Sequence, residues 1–202
     1  MTMKIGSTGL EMTVTPGGSC SGSVCLTQIH SARVLLNPSS GQEADGMILS
    51  GNGASPALKV ADCLPVFAVW DSFTGACHAG WRGLASGIVE NMLGMVDEPL
   101  RYLVLGPCIC GECYEVEEDV REQVARTDPA GLSAFPPGRV DLRASAIRRA
   151  RHLVGDRFKV VSDSRCTMET EELFSYRRNG TSCRNLVRLA EAGLPEHIHR
   201  PL

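Results

Sequence analysis

The chain has no apolar run near the roughly 18 residues that a membrane-spanning helix requires, and Met1 to Gly6 lack the apolar core of a secretory signal. A cytoplasmic location without membrane partners is therefore expected. Net charge is also scarce: 20 basic and 23 acidic residues leave −3. The densest basic cluster, Arg148, Arg149, Arg151 and His152, falls in a helical pattern and reads as a solvated face. No nucleic-acid partner is implied. Internal repeats and long low-complexity tracts are missing as well.

What is present suffices for a core. At 202 residues, 43% apolar and 21% charged, the chain can bury enough surface for one globular domain, expected to span 1–202. Nine cysteines, an odd number, occupy positions 20, 25, 63, 77, 108, 110, 113, 166 and 183. In a reducing cytosol they are expected as thiols, most of them small buried hydrophobes. A thiolate held near histidines is nonetheless a soft ligand suited to zinc or copper.

Helix and strand signals alternate. Pro16 to Ser23 and Asn37 to Gln42 read as loops, and Val24 to Leu36 between them as extended chain broken near His30. Ala57 to Trp70 is a long apolar stretch with a break at Pro65, and Arg101 to Leu105 is a short strand ending at Gly106-Pro107; both read as central strands. Leu84, Ile88, Met92 and Met95 line one face of a helix from about Gly83 to Val96. Val116, Val120 and Val124 mark a second helix, and Ile147, Ala150, Leu153 and Val154 a third. Phe158 to Val161 and Leu186 to Leu189 are later strands. The expected class is α/β (α+β), with mixed sheets covered by helices.

Three segments place metal-capable side chains at strand ends or loops: Thr27-Gln28-Ile29-His30, Ala61-Asp62-Cys63-Leu64-Pro65 and Cys77-His78-Ala79-Gly80-Trp81-Arg82-Gly83. With Gly106-Pro107-Cys108-Ile109, Cys113-Tyr114-Glu115-Val116, Arg165-Cys166-Thr167 and Phe174-Ser175-Tyr176-Arg177-Arg178, they resemble the laccase-domain family, the YfiH/YlmD-like proteins also grouped with multicopper polyphenol oxidases. The resemblance implies layered mixed sheets like those of Cys-His hydrolases. It also implies a metal held by two histidines and one cysteine, which map onto His30, Cys63 and His78. Two imidazoles and a thiolate leave a tetrahedral zinc ion, or a copper ion, one position for a reactant. Asp62, next to Cys63, is either a proton-handling group or a loop anchor. The family has more chain ahead of its first ligand, including a Thr-Arg-X-Gly-Gly-like segment. Here 29 residues precede His30, and 1–25 reads as a shortened N-terminal segment.

The remaining histidines, His152, His197 and His199, have no matching context, and the last two read as a solvated tail. The crowded Cys108-Ile109-Cys110-Gly111-Glu112-Cys113 invites a second metal, but the family makes a turn here without needing thiols. These cysteines are expected to pack beneath a loop that shapes the pocket. The segment also departs from the zinc deaminase signature, because Gly111 stands where a second Cys is needed and Gly80 where an acid is needed after His78.

The resemblance implies a small-molecule enzyme, a monomer or homodimer. Its expected activities are phosphorolysis of adenosine, inosine, guanosine and methylthioadenosine with phosphate as co-substrate, and deamination of adenosine. Arg82, Arg177 and Arg178 are the candidates to bind phosphate, and Glu115 and Glu171 the weaker candidates for an acid. An amide hydrolase acting on peptidoglycan precursors would instead use Cys63 as nucleophile, His78 as base and His30 to orient it. Copper-dependent polyphenol oxidation and a non-enzymatic metal-binding domain are the remaining alternatives.

Overall fold

A computed structural model of the chain describes residues 1–51 and 55–191. Its strands form two sheets. The larger is ordered β10 (Lys159–Ser162), β9 (Tyr102–Leu105), β7 (Leu64–Val69), β8 (Phe73–Ala79), β5 (Gly46–Ser50), β4 (Val34–Leu36). The smaller is ordered β1 (Thr2–Lys4), β2 (Leu10–Pro16), β11 (Asn185–Glu191), β6 (Pro56–Val60), β3 (Val24–Cys25). Parallel pairs β9–β10, β4–β5 and β3–β6 sit among antiparallel ones, so both sheets are mixed.

Strand β7 shows why the layers stack as they do. All of Leu64–Val69 is buried. Val66 and Ala68 join a cluster with Leu84, Ile88 and Met92 from the helices, while Phe67 and Val69 join one with Met12, Leu58 and Val187 from the smaller sheet. Alternate residues of a strand face opposite ways, so a strand apolar on both faces must be covered on both. Helices α1 (Trp81–Ala85), α2 (Ile88–Leu93), α3 (Glu118–Thr127) and α4 (Leu142–Val154) cover one side and the smaller sheet covers the other. The expected helical cover therefore holds for one face only. Among the described residues no helix is long and apolar enough to cross a membrane.

Four local expectations change. The apolar stretch 57–70 is two strands in different sheets, with the chain crossing at 61–63 and Pro65 lying inside β7. The helix expected over 83–96 is split, because Gly87 adopts a left-handed φ of 79° between α1 and α2. Arg149 is no solvated residue: it is fully buried, its Nη1 2.7 Å from Glu90 Oε1, with further bonds to Ser145, Val124 and Thr127. The cysteines are not all thiols, since Cys20, in the loop after β2, forms a disulfide with Cys25 of β3. The loop folds back to Ser23, whose N–H donates to Cys20 O, and this brings the two sulfurs together. His197 and His199 lie outside the described residues.

Candidate metal centre

Two connections pass from the smaller sheet to the larger at one place. One joins β3 to β4 and carries His30; the other joins β6 to β7 and carries Cys63. Gln28 ties them together, its side chain exchanging hydrogen bonds of 2.8 and 3.0 Å with the backbone of Lys59. Beside them β8 ends. Alternation along β8 buries Cys77 and Ala79 against the helices and turns Ala76, with His78, to the opposite face. Cys77 thus points away from its neighbour's site, and burial pushes its thiol far up.

The sequence residues His30, Cys63 and His78 meet. Each offers a ligand atom, and these atoms all lie within 4.8 Å of one another. The two imidazoles stand edge to face with ring centroids 4.9 Å apart. His30, at φ 60°, and Asp62, at φ 90°, are two of the three described non-glycine residues in the left-handed region. Such backbone costs about 1–3 kcal/mol per residue and persists where the surroundings hold it.

Asp45 does the holding for His30. Fully buried, it accepts hydrogen bonds from the N–H groups of Ile29 (3.1 Å), His30 (3.0 Å) and Ser31 (2.6 Å) and from the Ser31 hydroxyl (2.8 Å). Its Oδ1 also lies 2.9 Å from His78 Nδ1. With Nδ1 donating to Asp45, His78 presents the Nε2 lone pair to the cluster, the orientation in which a carboxylate supports a ligating imidazole. No sequence signal pointed to Asp45, which stands before a glycine like an ordinary turn residue.

Charge is strongly coupled here. Burial raises the Cys63 thiol, but hydrogen bonds from His30 and His78 outweigh it and bring the group down to about 6. Burial lowers His78, yet Asp45 and Cys63 together lift it to about 9. For Asp45, burial is outweighed by His78 and Ser31, which hold the carboxyl at about 2. The surroundings therefore favour a negative sulfur with positive charge beside it, a charge carried by the proton on His78 or by a divalent cation that displaces that proton. Gly80 leaves the needed room, since a methyl group there would stand 2.8 Å from Cys63 Sγ.

Above these three residues opens a cavity of ≈ 660 Å³, within the range of small-molecule sites. Arg82 and Arg177 both line it, each against an aromatic ring: Arg82 4.4 Å from the Trp81 centroid and Arg177 4.9 Å from that of Tyr114, with Arg177 Nη1 also donating to Glu115 O at 2.6 Å. Arg184, Lys59 and Tyr176 also border it and were not anticipated. Arg178 does not reach it. Its guanidinium is spent on the carbonyls of Thr167, Met168, Thr170 and Leu173, so it stitches a loop instead of facing a ligand. Glu115 and Glu171 are exposed and do not line the cavity; Glu115 pairs with Arg139 at 3.6 Å. Asp62 lines the cavity and anchors its loop, accepting from the Thr167 hydroxyl (2.6 Å) and the Arg177 N–H (2.7 Å).

Residues 12–190 match the family model described as multi-copper polyphenol oxidoreductase laccase. The chain belongs to this laccase-like family. Among curated relatives, a purine nucleoside phosphorylase of Corynebacterium glutamicum is 35% identical over 177 residues, covering 80% of this chain and 71% of the relative. The purine nucleoside phosphorylase YfiH of Escherichia coli is 34% identical over 171 residues, covering 80% and 70%. The fold matches Neisseria meningitidis protein NMB0706 with a TM-score of 0.77 at 23% identity, over 96% of this chain and 99% of that one. YlmD from Geobacillus stearothermophilus matches with a TM-score of 0.73 at 26% identity, over 85% and 74%. In this laccase-like chain the donor set, two imidazoles and a thiolate, fits a borderline-soft cation with one coordination position to spare.

Proposed function

We propose that the chain is a zinc-dependent purine nucleoside phosphorylase whose metal is held by His30, Cys63 and His78. The single observation that carries this reading is the convergence of those donors beneath a cavity bordered by cations and aromatic rings. The names of the relatives point the same way. Zinc, once bound, would supply a Lewis acid able to polarise an oxygen of the bound reactants.

The chain's own residues account for the rest. Trp81, Tyr114 and Tyr176 offer flat apolar faces for a purine. Arg82 and Arg177 present guanidinium groups to phosphate, and Arg184 and Lys59 add positive charge. In phosphorolysis a phosphate oxygen bonds to the anomeric carbon, the bond from that carbon to the purine nitrogen breaks, and the base leaves with a proton. Burial, reinforced by the Cys63 sulfur, pushes the Tyr114 phenol up to about 12, so its hydroxyl stays a donor at neutral pH. Adenosine, inosine, guanosine and methylthioadenosine are the proposed nucleosides, with deamination of adenosine as a second activity of the same pocket.

A second reading rests on the Cys63–His78–Asp45 chain. A thiol brought down to about 6, a histidine raised to about 9 and a carboxylate orienting that histidine form the nucleophile, base and orienter of a cysteine amide hydrolase. Asp45, not His30, takes the orienting role. One experiment separates the readings: zinc-loaded protein is incubated with adenosine with and without phosphate, and the products are resolved by chromatography. Adenine formed only with phosphate supports phosphorolysis, and inosine formed without it supports deamination. Absence of turnover with zinc bound, together with alkylation-sensitive amidase activity in stripped protein, would replace the first reading by the second.

A further inference from the structure

A second group of metal-capable side chains lies apart from the pocket and shares no residue with it. Cys110, Cys113, Cys166 and Glu169 each offer a ligand atom, and these atoms all lie within 4.8 Å of one another. The three cysteines are free thiols. Two short turns deliver the four groups. In the first, the N–H groups of Cys113 and Tyr114 donate to Cys110 O (3.1 and 2.9 Å), closing Cys110-Gly111-Glu112-Cys113. In the second, the N–H groups of Glu169 and Thr170 donate to Cys166 O (3.3 and 2.9 Å), closing Cys166-Thr167-Met168-Glu169. The spacing is the same in both: donor, two residues, donor.

A parallel bridge between Cys108 and Cys166 fixes the turns against each other, with Thr167 N–H donating to Cys108 O at 3.1 Å. Across the join, Cys110 N–H donates to Cys166 Sγ at 3.3 Å. A backbone amide aimed at sulfur is an arrangement suited to a thiolate, because a charged acceptor strengthens the bond. Cys166 is buried, Cys110 and Cys113 are half-buried, and Glu169 is exposed.

We propose that Cys110, Cys113, Cys166 and Glu169 form a second, closed zinc site with a structural role, independent of what the pocket turns over. Paired ligands two residues apart on facing turns, four in number and mostly sulfur, are the pattern of structural zinc. Sulfurs bound to one zinc stand ~3.8 Å apart, as follows from a Zn–S distance of ~2.3 Å. A separation within 4.8 Å needs only a small contraction of two turns. Copper(I) would favour the thiols without the carboxylate, so the presence of Glu169 favours zinc.

The position of the group explains why such a site would matter. Tyr114, immediately after Cys113, and Arg177, held by Asp62 beside Thr167, both line the pocket. Clamping the two turns would fix both pocket residues without touching a ligand.

The test is metal stoichiometry of the full chain expressed with zinc chloride, dialysed and measured by mass spectrometry. With both sites filled, the unaltered protein should hold about two equivalents, Cys63→Ala about one, and Cys110→Ser with Cys113→Ser about one, the last losing only the structural metal. If the pocket binds no metal, unaltered protein and Cys63→Ala both hold about one, so failure at the pocket is distinguishable. Cys63→Ala leaves the thiol cluster intact, and cobalt in that variant should show the sulfur-to-metal absorption of several thiolates. The proposal is overturned if Cys63→Ala holds well under one equivalent, or if peptide mapping finds a disulfide among Cys110, Cys113 and Cys166.

Discussion

The carboxylate of Asp45 joins both histidines of the candidate site, its Oδ1 lying 2.9 Å from His78 Nδ1 and 3.0 Å from the His30 backbone N–H. One buried side chain thus sets the ring of one donor and the backbone of the other. Asp45→Asn keeps the shape but exchanges one acceptor oxygen for an amide donor. Zinc affinity should fall roughly 10–100-fold, as for other groups that orient metal-bound histidines. Competition with a chromogenic chelator measures it, and an affinity unchanged from the unaltered protein would remove Asp45 from this role.

Gly80 gives a steric test of the same centre. A methyl group there would press on Cys63 Sγ at 2.8 Å, so the sulfur or the backbone at position 80 must shift. Gly80→Ala should therefore weaken zinc binding and lower kcat/KM at least tenfold, while thermal stability drops by about 1–3 kcal/mol as for an overpacked site. Full metal content with unchanged turnover would show that Cys63 is not constrained as described.

The arginines separate by what their guanidinium groups touch. Arg82→Ala and Arg177→Ala should raise the KM for phosphate about tenfold, the loss of one charge-assisted contact, with little change in melting temperature. Arg178→Ala should do the reverse. Four carbonyls lose their donor, costing about 2–3 kcal/mol of stability, while KM in the surviving folded protein is conserved. Differential scanning calorimetry beside initial-rate kinetics reads both quantities.

Acid sensitivity is expected to arise at Asp128, away from either proposed metal. Burial raises this carboxyl, but Arg148, Ser145 and the Ala130 N–H together lower it. Because the folded form holds its proton less tightly than the unfolded chain, the stabilisation is complete above the unfolded value of about 3.9 and fades as pH falls through the lower folded value. Asp128→Asn should be less stable than the unaltered protein at neutral pH, and the difference should shrink below about pH 4. Urea denaturation across pH measures the gap; a gap that widens on acidification would contradict the sign.

Much of the core could be read directly, because Leu64–Val69 is apolar throughout and Leu84, Ile88 and Met92 recur at helical spacing, and all of these are buried. The split at Gly87 needed a backbone angle that composition does not reveal. The sheet change at 61–63 was hidden because β6 and β7 are both apolar, and residue type does not say which sheet a strand joins. At the site, the motifs brought His30, Cys63 and His78 forward. Asp45 was invisible, since a buried carboxylate is identified by its partners and these lie up to 33 positions away. Arg177 and Arg178 are adjacent and alike in chemistry, and only the turn after Ser175 decides that one borders the cavity with a single carbonyl bond, to Glu115, while the other is spent on four carbonyls.

The two strand connections that carry His30 and Cys63 are also two of the places where the chain crosses between the sheets. A cation gripped by both would act as a rivet through the layers, so shearing one sheet from the other would require releasing it first. Pulling the chain ends apart in a force experiment should then show a rupture whose height depends on metal content, even though the core beneath it stays the same.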